Sequence, residues 1–188
     1  MCIRDRLGKE FKKLFGDRKV DKILTIEASG IGIACLTAVY FGVPVVFAKK
    51  SAGSNMDNEM FATEVMSYTH NRKNHVVVSK KYLKPGEHIL IMDDFLANGC
   101  AVSGLLDLVK QAGGIVEGIG ICIEKGFQGG GDALREAGYD VRSLAVIEKW
   151  MPKQASLRSA EEAGMNTDPI YEADGKISVR KAVPFGLQ

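Results

Sequence analysis

Two adjacent carboxylates follow an apolar run in the segment ILIMDDFLANGCAVSG, which spans residues 89–104. Asp93 and Asp94 come directly after this run and precede a small-residue turn at Asn98-Gly99. Aspartate is rarely buried without a partner, and two neighbouring carboxylates repel each other. A solvated turn explains the pattern, because Asp and Asn-Gly both favour turns. A ligand site at the carboxyl end of a strand in an open α/β sheet explains it equally well.

Polar clusters also follow the two preceding apolar runs. Residues 27–30, Glu-Ala-Ser-Gly, end the first run, and Lys49-Lys50 end the second. Loops that follow parallel strands emerge at one edge of the sheet, where α/β folds bind ligands. A small-residue loop that enters a helix suits a phosphate, whereas carboxylates accept hydrogen bonds from sugar hydroxyls or reach a metal through water. With the lysines as partners for a further anion, the pattern predicts a site for a phosphorylated sugar that carries a diphosphate.

The apolar pattern predicts an α/β fold with a mostly parallel sheet and helices on both faces. Predicted strands alternate with helices, and the apolar runs are continuous, as is typical of strands buried on both sides. An apolar stripe from Leu7 to Phe15 predicts a helix that covers one face. The remaining predicted elements are strands at 23–26, 43–48, 88–92, 115–125 and 141–147, and helices at 31–41, at about 102–112 and ending at Gly138.

Other segments depart from this alternation. Residues 51–60 are polar and rich in turn-forming residues, which predicts a mobile loop. Residues 61–70 and 74–81 then predict two antiparallel strands that lead back towards the sheet. After Trp150 the periodicity weakens, and residues 176–185 predict a late edge strand.

The bulk composition is that of one ordinary globular domain. The chain has 188 residues, of which 46% are hydrophobic and 26% charged. A net charge of +2 gives no indication of nucleic-acid or membrane binding. We expect a single domain over residues 1–188, with a weakly patterned tail at residues 150–188. Residues 1–6 have no pattern that links them to the rest, and we expect the natural N-terminus to be missing.

The spacing of the cysteines indicates the cellular compartment of the protein. The four cysteines, Cys2, Cys35, Cys100 and Cys122, are far apart, and the three histidines are scattered without metal-ligand spacing. Reduced, buried thiols are typical of cytosolic proteins. With no transmembrane run or signal peptide in the sequence, the expected location is the cytoplasm.

Five motifs in consistent register resemble the type I phosphoribosyltransferase family. The segment ILIMDDFLANGCA resembles that family's motif for 5-phosphoribosyl diphosphate (PRPP), which combines a hydrophobic strand, two acids and a small phosphate loop. The variant DDFLANG is most similar to the bacterial members that use xanthine, as are TIEASGIG, GVPVVFAKK, VKQAGG and GIGICIEKGFQ. The resemblance spans about residues 20–147 and implies the type I phosphoribosyltransferase fold with a mobile loop.

The resemblance implies a role for each polar cluster. Asp93 and Asp94 are implied to be the catalytic pair that holds the ribose hydroxyls of PRPP. Residues 51–75 are implied to close over the reacting centre, and Lys125 to contact the purine base. The other implied PRPP contacts are the 5′-phosphate loop of Ala97, Asn98, Gly99, Cys100 and Ala101, the diphosphate loop of Glu27, Ala28 and Ser29, and the basic pair Lys49 and Lys50.

The implied activity is purine salvage. The resemblance implies that the 5-phosphoribosyl group of PRPP is transferred to xanthine, which gives XMP and diphosphate. Mg²⁺ is implied to be bound through PRPP near Asp93 and Asp94, with no direct protein site. The resemblance also implies a homodimer in which Lys49-Lys50 reach the neighbouring subunit's site, and neither nucleic acid nor membrane is an expected partner.

The same residues also allow other interpretations of the function. Hypoxanthine, guanine or adenine are alternative bases, although the Lys125 ammonium donates to a 6-oxopurine carbonyl and has no acceptor on the amino group of adenine. A transcription regulator that senses PRPP is an alternative from another class, but the sequence has no basic recognition segment. Ala97 and Ala101 stand where some relatives carry a carboxylate and a threonine, respectively.

Overall fold

The computed structural model describes residues 3–51, 59–67, 72–149 and 178–181. These residues form one sheet of eight strands in the order β3-β4-β2-β1-β5-β6-β7-β8, with four α-helices. A short 3-10 helix, Gly126–Gln128, follows β6. The bounds in chain order are α1 Ile3–Phe15, β1 Lys22–Ile26, α2 Ser29–Phe41, β2 Val45–Ser51, β3 Met60–Ser67, β4 Arg72–Ser79, β5 His88–Leu96, α3 Cys100–Ala112, β6 Ile115–Lys125, α4 Gly130–Glu136, β7 Val141–Lys149 and β8 Ser178–Lys181.

The five central strands are parallel, which confirms the predicted mostly parallel sheet. Strand β1 pairs with β2 and β5, and β6 pairs with β5 and β7, all in parallel. All five residues of β1 are buried, as its continuous apolar run indicates. Because these strands run in the same direction, their carboxyl ends lie at one edge of the sheet.

Helices cover both faces of the sheet, as predicted. On one face, α1 and α2 pack on Ile23, Leu90 and Met92 of the central strands. On the other face, α3 and α4 pack on Leu24, Ile91 and their neighbours. Consecutive strand residues point to opposite faces, so each central strand contributes to both cores.

Three central strands, β2, β5 and β7, continue beyond their predicted ends through charged residues, and β7 does so from Ile147 to Lys149. Strand β2 continues beyond Ala48 through Lys49-Lys50, because it leaves β1 there and pairs antiparallel with β4 from Lys49 to Ser51. Strand β5 continues beyond Met92 through both aspartates, since its pairing with β6 extends to Leu96. Backbone pairing to a neighbour thus keeps polar residues extended where the apolar pattern has already ended.

The outer strands agree with the predicted excursion and edge strand. Strands β3 and β4 are antiparallel to each other, and β8 pairs antiparallel with β7 within the predicted late strand. Most of the predicted mobile loop, residues 52–58, lies outside the described residues. Helix α1 begins at Ile3, earlier than its apolar stripe indicates. None of the described helices has the length and apolarity needed to cross a membrane.

Candidate functional site

The acidic pair lies at the carboxyl end of β5. The Asp93 side chain is buried, with 5% of the residue exposed, whereas Asp94 is half-buried. Asp94 donates its backbone N–H to Asp93 Oδ1 at 2.9 Å, and Phe95 donates its own to Asp94 Oδ1 at 3.0 Å. Burial, followed by the neighbouring Asp94, raises the pKa of Asp93 to about 7. The ligand-free site therefore stabilises the protonated form of Asp93.

The start of α2 packs directly against this pair. A Cβ placed on Gly30 would overlap Thr25 Oγ1 and lie 2.8 Å from Asp93 Oδ1, so only glycine fits here without displacement. The loop of Glu27, Ala28 and Ser29, in which the Glu27–Ala28 peptide bond is cis, leads into this contact. The structure therefore brings the predicted diphosphate loop next to the predicted ribose carboxylates.

The two lysines of the basic pair have different surroundings. Lys50 donates its backbone N–H to Glu27 Oε1 at 2.5 Å, and its charge lowers the pKa of Asp93 against the larger raising effects. Lys49 instead lines an open cavity of about 330 Å³ with Phe47 and Tyr82, against β4. The structure thus places Lys50, but not Lys49, beside the acidic pair.

The small-residue loop 97–101 forms the entry to α3. Gly99 has a φ of +86°, a left-handed conformation that favours glycine, and the helix begins at Cys100. Cys100 donates its backbone N–H to Asn98 Oδ1 at 3.3 Å, and Ser103 donates to the Gly99 carbonyl at 2.8 Å. The first N–H groups of a helix lack intrahelical acceptors and carry the positive end of its dipole. This loop therefore has the geometry of an anion site.

Lys125 ends β6 beside an exposed aromatic side chain. Its Nζ lies 5.6 Å from the centroid of the Phe95 ring, and 45% of Phe95 is exposed. Phe127, in the following turn, is 46% exposed. Sequence reasoning missed both aromatic residues, although each lies within two residues of a predicted site residue. An ammonium beside aromatic surface suits a planar ligand that carries a hydrogen-bond acceptor.

Glu124 is a third residue that sequence reasoning missed. Only 2% of it is exposed, and it pairs with Arg135 of α4 through two hydrogen bonds. The available signal is a carboxylate at the end of an apolar strand, immediately before Lys125. A buried acid in such a position requires a partner, which the sequence does not identify.

Comparisons with known proteins agree with this arrangement. The chain is 60% identical over 144 residues to a protein from Lachnoclostridium phytofermentans named xanthine phosphoribosyltransferase, which covers 77% of this chain and 74% of that protein. It is 54% identical to one of the same name from Bifidobacterium adolescentis, over 81% of this chain and 80% of the relative. The structure of adenine phosphoribosyltransferase from Thermoanaerobacter pseudethanolicus matches with a TM-score of 0.66 at 26% identity, over 76% of this chain and 79% of that one.

The family assignment rests on most of the chain. Residues 3–152 match the family described as the phosphoribosyl transferase domain, and this range contains every residue of the site described above. The motifs at the ends of β1, β2, β5 and β6 therefore occur in the order, and on the fold, that the sequence resemblance implies. The chain belongs to the phosphoribosyl transferase domain family.

Proposed function

We propose that this chain transfers the 5-phosphoribosyl group of PRPP to xanthine, with XMP and diphosphate as products. One observation is the main support for this proposal. The Asp93–Asp94 pair, the start of α2 and the 97–101 loop lie together at one edge of the sheet. The names of relatives that are 54% and 60% identical support xanthine as the base.

The three parts of PRPP fit three neighbouring subsites. The 5′-phosphate accepts hydrogen bonds from the backbone N–H groups of the 97–101 loop and the first turn of α3. The ribose hydroxyls donate to Asp93 and Asp94, which are acceptors when ionised. The diphosphate lies by the loop of residues 27–29, where Lys50 is within electrostatic range of Asp93.

Lys125 and Phe95 are the proposed contacts of the base. The ammonium donates to the O6 carbonyl of xanthine, and Phe95 offers apolar surface to the ring. The fold comparison with an adenine enzyme makes adenine the second candidate base. Lys125 disfavours adenine, because an amino group in place of the carbonyl leaves the half-buried ammonium without an acceptor.

The residues fit a magnesium ion that is bound through PRPP. Among the described residues, no group of three or more His, Cys, Asp or Glu side chains could hold a metal by itself. Two adjacent carboxylates, one with a pKa raised to about 7, nevertheless favour nearby positive charge. Mg²⁺ usually keeps several waters and binds phosphate oxygens of the substrate, and Asp93 and Asp94 would hold it through those waters beside PRPP. When bound, it neutralises negative charge on the departing diphosphate.

The proposed chemistry depends on charge and position. Positive charge develops on the ribose as its bond to diphosphate breaks, and the two carboxylates of Asp93 and Asp94 stabilise that charge. Lys50 offsets negative charge on the leaving group, while the 97–101 loop holds the 5′-phosphate and so fixes the ribose. Lys125 orients the purine so that its ring nitrogen attacks the anomeric carbon. No covalent protein intermediate is required.

Two further expectations belong to the proposal. A second copy of the chain covers the surface beside Lys49, where Phe47 and Tyr82 are 38% and 51% exposed. The reaction takes place in the cytoplasm, in keeping with the free thiols of the three described cysteines, Cys35, Cys100 and Cys122.

The test of this function compares bases and removes the acidic charges. The purified chain is assayed with PRPP, Mg²⁺ and xanthine, hypoxanthine, guanine or adenine, and we expect the highest kcat/KM with xanthine. Replacing both aspartates by Asn retains their shape, and we expect the calorimetric PRPP affinity to fall at least about tenfold. Equal use of adenine and xanthine would contradict the role of Lys125. An unchanged PRPP affinity in the double variant would contradict the role of the acidic pair.

A further inference from the structure

Glycines at the start of α4 hold its backbone against the 97–101 loop. Gly130 donates its N–H to the carbonyl of Ala97 at 3.2 Å. A Cβ on Gly130 would overlap that carbonyl oxygen and would lie 2.5 Å from the carbonyl carbon of Asn98 and 2.6 Å from the nitrogen of Gly99. The two backbones are therefore in direct contact, with no room for a side chain between them. The position of α4 consequently determines the position of the loop.

An ion pair with the buried carboxylate of Glu124 fixes the position of α4. Arg135 donates from Nη1 to Glu124 Oε1 at 2.9 Å and from Nη2 to Oε2 at 2.7 Å, and Ser143 Oγ donates to Oε2 at 2.5 Å. Arg135 Nε also donates to the carbonyl of Val141 at 3.3 Å. A Cβ on Gly131 would overlap Glu124 Oε1, so the helix backbone rests on the carboxylate itself. Strands β6 and β7 and helix α4 are thus joined at one carboxylate.

The chemistry of this pair indicates that it orients α4 more than it stabilises the fold. Burial removes the hydration of the Glu124 carboxylate, and this loss offsets much of the stability that its ion pair contributes. A forked arginine–carboxylate pair does fix distance and angle, because its two parallel hydrogen bonds allow one geometry. The hydrogen bonds to Glu124 also raise the pKa of Arg135 above its ordinary value, so the guanidinium stays charged.

We propose that Glu124 and Arg135 are positioning residues that hold the 97–101 loop in its phosphate-binding geometry, through the contact between Gly130 and Ala97. This inference rests on the proposed function, in which that loop binds the 5′-phosphate of PRPP. Neither residue touches the substrate. Their effect is on the affinity for PRPP, and the affinity for the base changes little.

The test compares two forked arginine pairs in the same chain. Arg135→Met breaks the pair with Glu124, and Arg142→Met is the matched control. Arg142 is similarly exposed (33% against 38%) and forms a forked pair with Asp140, but it contacts α1 through the carbonyl of Leu14. We expect Arg135→Met to raise KM for PRPP at least about tenfold and KM for xanthine less than about threefold. Arg142→Met should leave both KM values within about twofold of the original.

Two further variants keep the test decisive if Arg135→Met does not fold. Glu124→Gln combined with Arg135→Met leaves no unpaired buried charge, and we expect it to fold and to show the same rise in KM for PRPP. Arg135→Lys keeps the charge without the fork and should restore part of the PRPP affinity. If a folded variant without the pair keeps its KM for PRPP within about twofold, the positioning role is wrong.

Hydrogen exchange separates this inference from the proposed function. We expect the backbone amides of residues 98–101 to exchange at least about tenfold faster in the ligand-free Arg135 variants, with no such change in Arg142→Met. This readout requires no turnover. A chain that fails to use PRPP would overturn the proposed function, and unchanged exchange in the 98–101 amides would overturn the positioning role.

Discussion

Replacing Asp93 by Asn is expected to stabilise the ligand-free protein above neutral pH while it weakens PRPP binding. Asp93 is 5% exposed, and its pKa is raised from 3.8 to about 7, first by burial and then by Asp94. The folded state therefore retains a proton that the unfolded chain releases between these two pH values. The free energy of unfolding of the original protein consequently falls as the pH rises from about 4 to about 7. Asn cannot ionise and avoids this loss.

The magnitude follows from the size of the shift. A difference of about three pKa units, at about 1.36 kcal/mol per unit, sets an upper value of about 4 kcal/mol. Relaxation around the ionised carboxylate reduces this value, so we expect Asp93→Asn to gain about 2 to 4 kcal/mol at pH 8. In a chain of this size the gain corresponds to a rise in Tm of roughly 4 to 16 °C. At pH 4 the two proteins should differ by less than about 0.5 kcal/mol.

The assay is urea denaturation of the ligand-free protein at several pH values between 4 and 8. Asn retains the acceptor for the Asp94 backbone N–H, so the change removes charge with little change of shape. Asp107→Asn is the matched control, because Asp107 is a half-buried aspartate on α3 that accepts a hydrogen bond from Gln111. A difference that both variants share would come from the change of Asp to Asn itself. Parallel curves for Asp93→Asn and the original protein would refute the reasoning that links burial to the raised pKa.

Four further outcomes are expected. Lys125→Met should lower kcat/KM for xanthine at least about tenfold and leave calorimetric PRPP affinity within about twofold. Gly118→Ala should cost about 1 to 3 kcal/mol of unfolding free energy, because its Cβ would lie 2.5 Å from the buried Phe15 ring. Gly32→Ala, which meets nothing within 4 Å, should stabilise by about 0.4 to 1 kcal/mol in the same denaturation assay. Light scattering at micromolar concentration should give a dimer, and a monomer would count against the surface beside Lys49.

Local sequence pattern determined most of the fold. Continuous apolar runs such as residues 23–26 predicted buried parallel strands, because a strand covered on both faces has no polar side. Glycines such as Gly42 and Gly113 marked helix ends, where the structure has left-handed backbone at both positions. The acidic pair and the small-residue loop were recognisable because their chemistry depends on residues adjacent in the chain.

The tertiary structure decided which polar residues meet. The sequence pattern predicted that Lys49 and Lys50 act together as one basic pair. In the structure, antiparallel pairing with β4 keeps both residues in an extended strand. Consecutive residues of a strand point in opposite directions, so one lysine lies near Asp93 and the other lines a separate cavity. The pattern of side chains could not show this, because it depends on where a distant strand pairs.

The pairing of Glu124 with Arg135 and the raised pKa of Asp93 are likewise tertiary properties. Glu124 meets an arginine eleven residues later, on α4, and a serine nineteen residues later, on β7, since these three elements pack together. The pKa of Asp93 depends on how completely α2 and the sheet exclude water from it. Sequence determines which residues can be charged. Burial and long-range packing determine the free energy that is needed to ionise them and the residue that pairs with each charge.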